Sequence, residues 1–281
     1  SGFASVAGMA ELKKTLFNDV IKPLKESAKY EKFKIKPPNG ILLFGPPGCG
    51  KTFIARKLGE ELGMSFIETK HSDFASIYVH GSTEKIGEVF RRAKQNKPCV
   101  LFIDEIDGVL PKRTSLGGSS DHKHEEVNEF LMQLNKIGEH QVIVIAASNC
   151  PEQIDEAVLR TGRVDKIIYV PPPDKKALIE LFRLYLKGRP LANDVDFSKL
   201  GEKTAGMSCS DIEYICDEAA REAVENNLEM ITAEVIEKVI DHTNTSISDD
   251  MKRRYDDFTQ RGNRLFKYGE KKATPIGFIS S

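Results

Sequence analysis

The segment GPPGCGKT, residues 45–52, combines glycines, one lysine and one threonine in a spacing that can bind phosphate. Glycines let backbone N–H groups approach phosphate oxygens, and a helix that starts after the segment adds its positive dipole. Lys51 would reach the outer phosphates of a nucleotide, and the Thr52 hydroxyl would ligate Mg²⁺. The alternative is a turn that matches the pattern by chance. We predict a nucleotide-binding P-loop that comprises Gly45, Pro46, Pro47, Gly48, Cys49, Gly50, Lys51, Thr52 and Phe53.

A second set of candidate residues ends the apolar run CVLFIDEID, residues 99–107. Asp104 would hold Mg²⁺ through water, and Glu105 would polarise the water that attacks the terminal phosphate. The adjacent Asp and Glu favour hydrolysis over simple nucleotide switching. The alternative is a buried strand with a solvated acidic end. Together with the P-loop, this run predicts an ATP/ADP and Mg²⁺ site at the carboxyl ends of parallel strands.

These residues need a sheet to position them, and short apolar runs supply it. The runs barely alternate between apolar and polar residues, which is typical of parallel strands covered on both faces. Helical patterns separate them, so we expect βαβ units and an open parallel sheet. The predicted strands are Gly40–Phe44, 65–68, Cys99–Ile103, 141–147 and 166–170, and the predicted helices between them include 53–62, 85–96 and 125–137.

Three prolines at 171–173 mark a change of pattern, because strand signals vanish after them. Residues 174–187, 211–227 and 233–243 have helical patterns. We therefore predict an α/β P-loop NTPase with a five-stranded parallel sheet between helices, followed by a small all-α lid domain. The expected domains are a nucleotide-binding domain at 1–172, a helical lid at 173–245, and a C-terminal helix and tail at 246–281.

Composition narrows the class of protein. The 281 residues include 41 basic and 42 acidic side chains, for a net charge of −1, which does not favour a nucleic-acid binder. The five cysteines form no CxxC pair, so we expect a reducing, cytoplasmic location without a disulfide framework or zinc site. No apolar run approaches the roughly 18–20 residues of a membrane span. No HExxH motif of a metalloprotease occurs in the sequence.

A series of motifs, taken in order, resembles the AAA family within the AAA+ ATPases, of the valosin-containing-protein and N-ethylmaleimide-sensitive-factor type. The resemblance covers residues from about Phe3 to Phe258. GPPGCGKT and LFIDEID resemble the family's Walker A and Walker B motifs. The segments SNCPEQIDEAVLRTGRVDKIIYVPPPD, AGMSCSDIEYICDEAAREA and SISDDMKRRYDDF resemble its second region of homology, lid helix and closing segment.

The resemblance implies roles for residues outside the two Walker motifs. Asn149 occupies the sensor position that orients the attacking water with Glu105. Arg160 and Arg163 occupy arginine-finger positions that act on the neighbouring subunit, which implies a homo-oligomer, a hexameric ring. The predicted adenine pocket and lid contacts involve Val6, Ala7, Tyr185 and Ser210, the last near the place of an absent sensor-2 arginine.

Tyr78 and Val79 resemble the aromatic and hydrophobic pair of the family's first pore loop, which grips a polypeptide. His80 is inserted before Gly81, so the loop departs from the family pattern by one residue. The pair favours a motor that remodels, unfolds or disassembles protein substrates. The alternative is a nucleotide-dependent scaffold or loader that acts on nucleic acid.

Cys49 stands at a variable position of the P-loop, beside Lys51 and a helix N-terminus. Both neighbours lower the pKa of a thiol and raise its reactivity. One interpretation is therefore a chemical off-switch without a catalytic role. The other is a small residue that the loop tolerates.

Overall fold

A parallel five-stranded sheet forms the centre of the structure, a computed structural model that describes residues 2–35, 37–74, 81–112, 120–135, 137–159 and 163–265. Its strands are β1 (Gly40–Phe44), β2 (Ser65–Thr69), β3 (Cys99–Ile103), β4 (Val142–Ser148) and β5 (Lys166–Tyr169). They lie in the order β2-β3-β4-β1-β5, and all four pairings are parallel. The predicted parallel sheet is confirmed, and strand ends differ by one residue at most.

Helices precede the sheet, connect its strands and follow it. The helices before and between the strands are α1 (Ala10–Leu16), α2 (Lys22–Lys25), α3 (Ser27–Lys32), α4 (Lys51–Leu62), α5 (His71–Phe74), α6 (Gly81–Gln95), α7 (Ile106–Val109) and α8 (Ser120–Leu134). A π-helical turn at Phe17–Ile21 joins α1 to α2. The helices after the sheet are α9 (Lys175–Tyr185), α10 (Phe197–Lys203), α11 (Cys209–Glu225), α12 (Ala233–His242) and α13 (Asp249–Leu265).

Both faces of the sheet are buried under helices, as the apolar runs predict. Successive side chains of a strand point to opposite faces. Leu42 and Phe44 of β1 belong to one apolar cluster with residues of α6 and α8, whereas Ile41 and Leu43 belong to another with residues of α1 and α4. All five residues of β1 are buried. The carboxyl end of β1, where the P-loop begins, is thus fixed from both sides.

Helices α9 to α12 bury a third apolar cluster, around Phe182, Ile212 and Ile236. Polar caps start these helices. In α11 the Ser208 hydroxyl accepts from the Asp211 N–H at 3.1 Å, and the Asp211 carboxylate accepts from the Ser208 N–H at 2.8 Å. Such a capping box satisfies N–H groups that a helix start leaves unpaired. The predicted helical region after the sheet is confirmed; the domain boundaries at 172 and 245 stay predictions.

The closing segment differs most from its sequence pattern. Residues after Phe258 look like a poorly patterned basic tail, yet α13 continues to Leu265. Its sequence is mostly charged, and Met251, Tyr255 and Phe258 supply one narrow apolar stripe at helical spacing. All three pack against the cluster that contains Phe44. The packing of this stripe stabilises α13; the sequence predicts a C-terminal helix here but not its continuation past Phe258.

Candidate active site

The P-loop turns at glycines that adopt backbone conformations which other residues rarely reach. Gly48 and Gly50 have φ values of 69° and 81°, in the left-handed region that favours glycine. Gly50 immediately precedes α4, so the first N–H groups of that helix follow the turn. These N–H groups lack partners within the helix and can bind anions. The local sequence thus builds a phosphate-binding turn at the carboxyl end of β1.

Lys51, the first residue of α4, is almost fully buried, with 7% of its surface exposed. Its Nζ donates to the Gly45 carbonyl at 2.9 Å and to the Pro46 carbonyl at 2.8 Å. Burial lowers the pKa of this ammonium, and the nearby Asp104 and Asp107 carboxylates oppose the shift. The side chain is folded over its own loop, where the carbonyls hold the charge in place.

Thr52 and Asp104 bring a hydroxyl and a carboxylate together from different elements. The Thr52 Oγ1 lies 3.4 Å from Oδ2 of Asp104, across the gap between α4 and the end of β3. The Asp104 N–H donates to the Thr69 carbonyl at 2.9 Å, which continues the pairing of β2 with β3. A hydroxyl and a carboxylate are donors that Mg²⁺ accepts. The pair therefore fits the predicted metal site.

Glu105 follows Asp104 with a left-handed backbone, φ 52°, directly before α7. Its N–H donates to Oδ1 of Asp104 at 3.0 Å. A non-glycine residue in this conformation is uncommon and is often found at functional sites. The turn separates the two carboxylates: Asp104 is half-buried beside Thr52, whereas Glu105 is exposed to solvent.

Asn149 directly follows β4, beside the end of β1. Its Oδ1 is buried and has no hydrogen-bond partner among the described residues. The preceding Ser148 donates its hydroxyl to Oδ1 of Asp107 at 2.5 Å and accepts from the Cys150 N–H at 3.0 Å. Buried amide oxygens are normally paired, so an orphan one needs an explanation. A polar partner at this edge of the sheet, such as a water or a ligand, would supply one.

The lid touches the phosphate loop through the start of α11. The Ser210 N–H donates to the Gly48 carbonyl at 3.3 Å. A methyl group at position 48 would lie 2.7 Å from the Ser210 Oγ and 3.0 Å from its Cβ. These distances place Ser210 beside the loop, as the resemblance implies.

Tyr185, at the end of α9, is partly buried, and this burial raises the pKa of its hydroxyl to about 12.

The chain start packs against the beginning of α9. Met9 donates its N–H to Oδ2 of Asp174 at 2.6 Å, and Asp174 also caps α9. The neighbouring Val6 is buried, and its carbonyl accepts from Lys13 Nζ at 2.8 Å. Ala7 is partly buried, whereas 48% of the Phe53 surface is exposed. Their contacts with adenine remain a prediction.

Of the two interpretations of Cys49, the structure contradicts the reactive thiol and leaves the small residue that the loop tolerates. Cys49 is 3% exposed, and its burial, with a smaller contribution from Cys209, raises the pKa to about 12; Lys51 only partly opposes this. Cys209 belongs to α11, so the start of that helix lies near the loop cysteine, which is itself buried in the apolar cluster with α1 and α4. Desolvation disfavours a thiolate more than the nearby lysine favours it.

Arg163 is held by its own chain. Its Nε donates to Oδ1 of Asn135 at 2.9 Å, and its Nη1 donates to the Ala157 carbonyl at 2.7 Å. Arg160, the other predicted finger, and the predicted pore residues Tyr78 and Val79 lie outside the described residues.

Sequence reasoning did not single out three residues that support the site. Asp107 and Ser148 join the ends of β3 and β4 through their hydrogen bond. Tyr255 of α13 donates its hydroxyl to the Asn149 carbonyl at 2.8 Å. Asp107 lies in the quoted run DEID, so its position was a usable signal. Nothing in the local sequence links Tyr255 to Asn149, because 106 positions separate them.

Comparison with known proteins identifies this arrangement. Residues 41–172 match the profile of the ATPase family associated with various cellular activities (AAA), and residues 194–238 match that of the AAA+ lid domain. The chain belongs to the AAA family of ATPases. The two matches fall on the sheet with the P-loop and on α10 to α12, so the predicted family, fold and ATPase class are confirmed.

Curated relatives of this AAA protein are longer than the chain. A cell division cycle protein 48 homolog from Archaeoglobus fulgidus is 45% identical over 221 residues, which cover 78% of this chain and 30% of the relative. The ATP-dependent zinc metalloprotease FtsH of Caulobacter vibrioides is 39% identical over 241 residues, 85% of this chain and 38% of the relative. The chain thus spans about a third of such relatives. Within the described ranges of this AAA protein, no helix is both long and apolar enough to cross a membrane.

Proposed function

We propose that this chain binds ATP with Mg²⁺ at the P-loop and hydrolyses it to ADP and phosphate. One observation carries the proposal: neighbouring strands β1, β3 and β4 deliver the P-loop, the Asp104–Glu105 pair and Asn149 to the same edge of the sheet. This edge is where open α/β sheets bind ligands. Lys51 contacts the outer phosphates in exchange for the Gly45 and Pro46 carbonyls.

The remaining roles follow from position. Glu105 is exposed at the edge and takes the proton of the attacking water, while the Asn149 amide orients that water. Thr52 and Asp104 hold Mg²⁺, which when bound neutralises charge on the phosphate oxygens. Val6, Ala7, Tyr185 and Ser210 line the nucleotide from the chain start and the lid.

Arginines complete this site from a neighbouring subunit in a hexameric ring. AAA-family membership supports such assembly, as does the position of Arg163 outside its own P-loop, bonded to Asn135 and Ala157. An arginine finger raises turnover by about 10³–10⁵-fold, so hydrolysis would depend on the ring. Arg160 is the second candidate for this role.

The work driven by ATP is the remodelling or unfolding of proteins, in a cytoplasmic location. Relatives named ATP-dependent zinc metalloproteases act on proteins, which supports this substrate class. Tyr78 and Val79 supply the grip on the polypeptide. The net charge is close to zero, at −1, and so does not indicate the excess of basic residues that is typical of nucleic-acid-binding proteins.

The Glu105→Gln variant tests the hydrolytic site. This change removes the proton acceptor and keeps the size of the side chain, so we expect ATP binding to persist while phosphate release falls at least about 100-fold. The exposed Glu139 offers a matched control, and Glu139→Gln should turn over like the unchanged chain. Turnover of Glu105→Gln near that of the control would refute the assignment.

A stimulation assay tests the substrate class. Phosphate release is measured with an unfolded protein, with single-stranded DNA, and with neither. We expect the unfolded protein to raise turnover and DNA to leave it unchanged. Stimulation by DNA alone would favour the nucleic-acid loader instead.

A further inference from the structure

Tyr255 connects the closing helix to Asn149, the residue that directly follows β4. Its hydroxyl donates to the Asn149 carbonyl at 2.8 Å, and only 1% of its surface is exposed. Burial raises the pKa of the hydroxyl to about 12, so it remains a protonated donor at neutral pH.

The ring of Tyr255 is fixed by an aromatic cluster at the same edge of the sheet. Its centroid lies 5.9 Å from that of Tyr169 and 6.3 Å from that of Phe44, while Phe258 lies 5.0 Å from Phe44. Phe44 is the last residue before the P-loop. Aromatic pairs at these distances stabilise one another beyond their burial. Helix α13 therefore contacts Phe44, which ends β1 just before the P-loop, and also Asn149, which follows β4.

The Asn149 peptide is held from both sides. The Cys150 N–H is bonded to the Ser148 hydroxyl, and the Asn149 carbonyl is bonded to Tyr255. Because these bonds fix the backbone, the direction of the Asn149 side-chain amide depends mainly on the rotation of its own side chain. Its buried Oδ1 has no hydrogen-bond partner among the residues that the structure describes, so the amide is free to meet a group from outside them.

We propose that Tyr255 is a positioning residue for ATP hydrolysis, which holds the Asn149 peptide so that the amide side chain orients the attacking water. The proposal rests on the role of Asn149 in the proposed function. It also couples the closing helix to turnover, because a shift of α13 would release the carbonyl. Nucleotide binding does not depend on this bond, since the P-loop contacts lie on α4 and β1.

The Tyr255→Phe variant removes the hydroxyl and retains the packed ring. We expect kcat to fall about threefold to tenfold, the effect of one neutral hydrogen bond on a barrier, with KM and the binding of a fluorescent ATP analogue unchanged. Tyr169→Phe is the control, because it removes a hydroxyl from the same cluster and leaves the Tyr255 hydrogen bond to the Asn149 carbonyl in place. Equal kcat values for Tyr255→Phe and the unchanged chain would overturn the proposal.

A double-variant cycle separates positioning from general stability. The Asn149→Ala variant keeps the backbone carbonyl that accepts from Tyr255 but lacks the side-chain amide. In this background Tyr255→Phe should therefore reduce kcat no further. If Tyr255→Phe lowers kcat by the same factor in both backgrounds, the hydroxyl acts structurally and the positioning role is wrong. If Asn149→Ala alone leaves turnover intact, the role of Asn149 fails, and the proposal for Tyr255 fails with it.

Discussion

The Ser210 N–H donates to the Gly48 carbonyl at 3.3 Å, which places the first turn of α11 directly on the phosphate loop. Little space separates the two elements, because a methyl group at position 48 would lie 3.0 Å from the Ser210 Cβ. The lid and the loop are therefore close enough that a side chain at position 48 must displace one of them.

The Gly48→Ala variant should weaken ATP binding about tenfold, or about 1.4 kcal/mol, because the new methyl group pushes the lid from the loop. Gly63→Ala is a matched control: its φ is 66° against 69° for Gly48, yet nothing lies within 4 Å of the added methyl group. Both changes should lower the free energy of unfolding by about 1–2 kcal/mol through backbone strain. Urea unfolding and nucleotide titration measure the two effects. Equal ATP affinity in both variants would contradict the contact.

The Asp104→Asn variant should weaken the apparent affinity for Mg²⁺ about 10–100-fold, since it removes a carboxylate charge that orients the metal's ligands. ATP binding without the metal should change little, because Lys51 and the loop glycines are untouched. Turnover measured against Mg²⁺ concentration tests this. Asp250, exposed on α13, supplies the control Asp250→Asn. An unchanged Mg²⁺ midpoint in Asp104→Asn would exclude the proposed metal site.

The Arg163→Ala variant should lose turnover when assembled, and mixing should restore it. Arg163→Ala subunits keep an intact P-loop, while Glu105→Gln subunits supply the arginine, so an equal mixture should hydrolyse ATP although each variant alone does not. Phosphate release by mixtures at increasing protein concentration measures this. The control is a mixture of Arg163→Ala subunits with subunits that carry both Arg163→Ala and Glu105→Gln. It should stay inactive, because no subunit in it supplies the arginine. Failure of the first mixture to exceed the control would argue against arginine supplied in trans.

Cys49 should resist alkylation at neutral pH, because its pKa is raised to about 12 and it is buried. Partly exposed Cys150 is the internal comparison and should be labelled faster by N-ethylmaleimide, as followed by mass spectrometry. Because the pKa is raised, the protonated thiol stabilises the folded state at pH values below 9.0, the usual pKa of a thiol. This stabilisation is lost as the pH rises toward 12. Faster labelling of Cys49 than of Cys150 at pH 7 would contradict the buried geometry.

Local patterns were sufficient to predict the sheet and to name candidate site residues at the carboxyl ends of its strands. Runs of buried apolar residues such as Gly40–Phe44 and Cys99–Ile103 predict strands because both faces of a parallel sheet are covered. Lys51, Thr52 and Asp104 were predictable because phosphate and Mg²⁺ need particular groups at the ends of such strands. The continuation of α13 from Phe258 to Leu265 was not, since that stretch has no apolar pattern of its own and extends a helix whose stripe packs on the sheet.

The sequence by itself thus determined the family, the fold class and the residues that can carry the chemistry, because each depends on neighbours along the chain. The tertiary structure alone decided the environment of those residues. Cys49 lies two residues from Lys51, yet its pKa is raised because it is buried in the apolar cluster that includes residues of α1 and α4. Tyr255 and Asn149 meet across 106 positions. Desolvation and long-range hydrogen bonds arise only when distant segments pack, so no local pattern contains them.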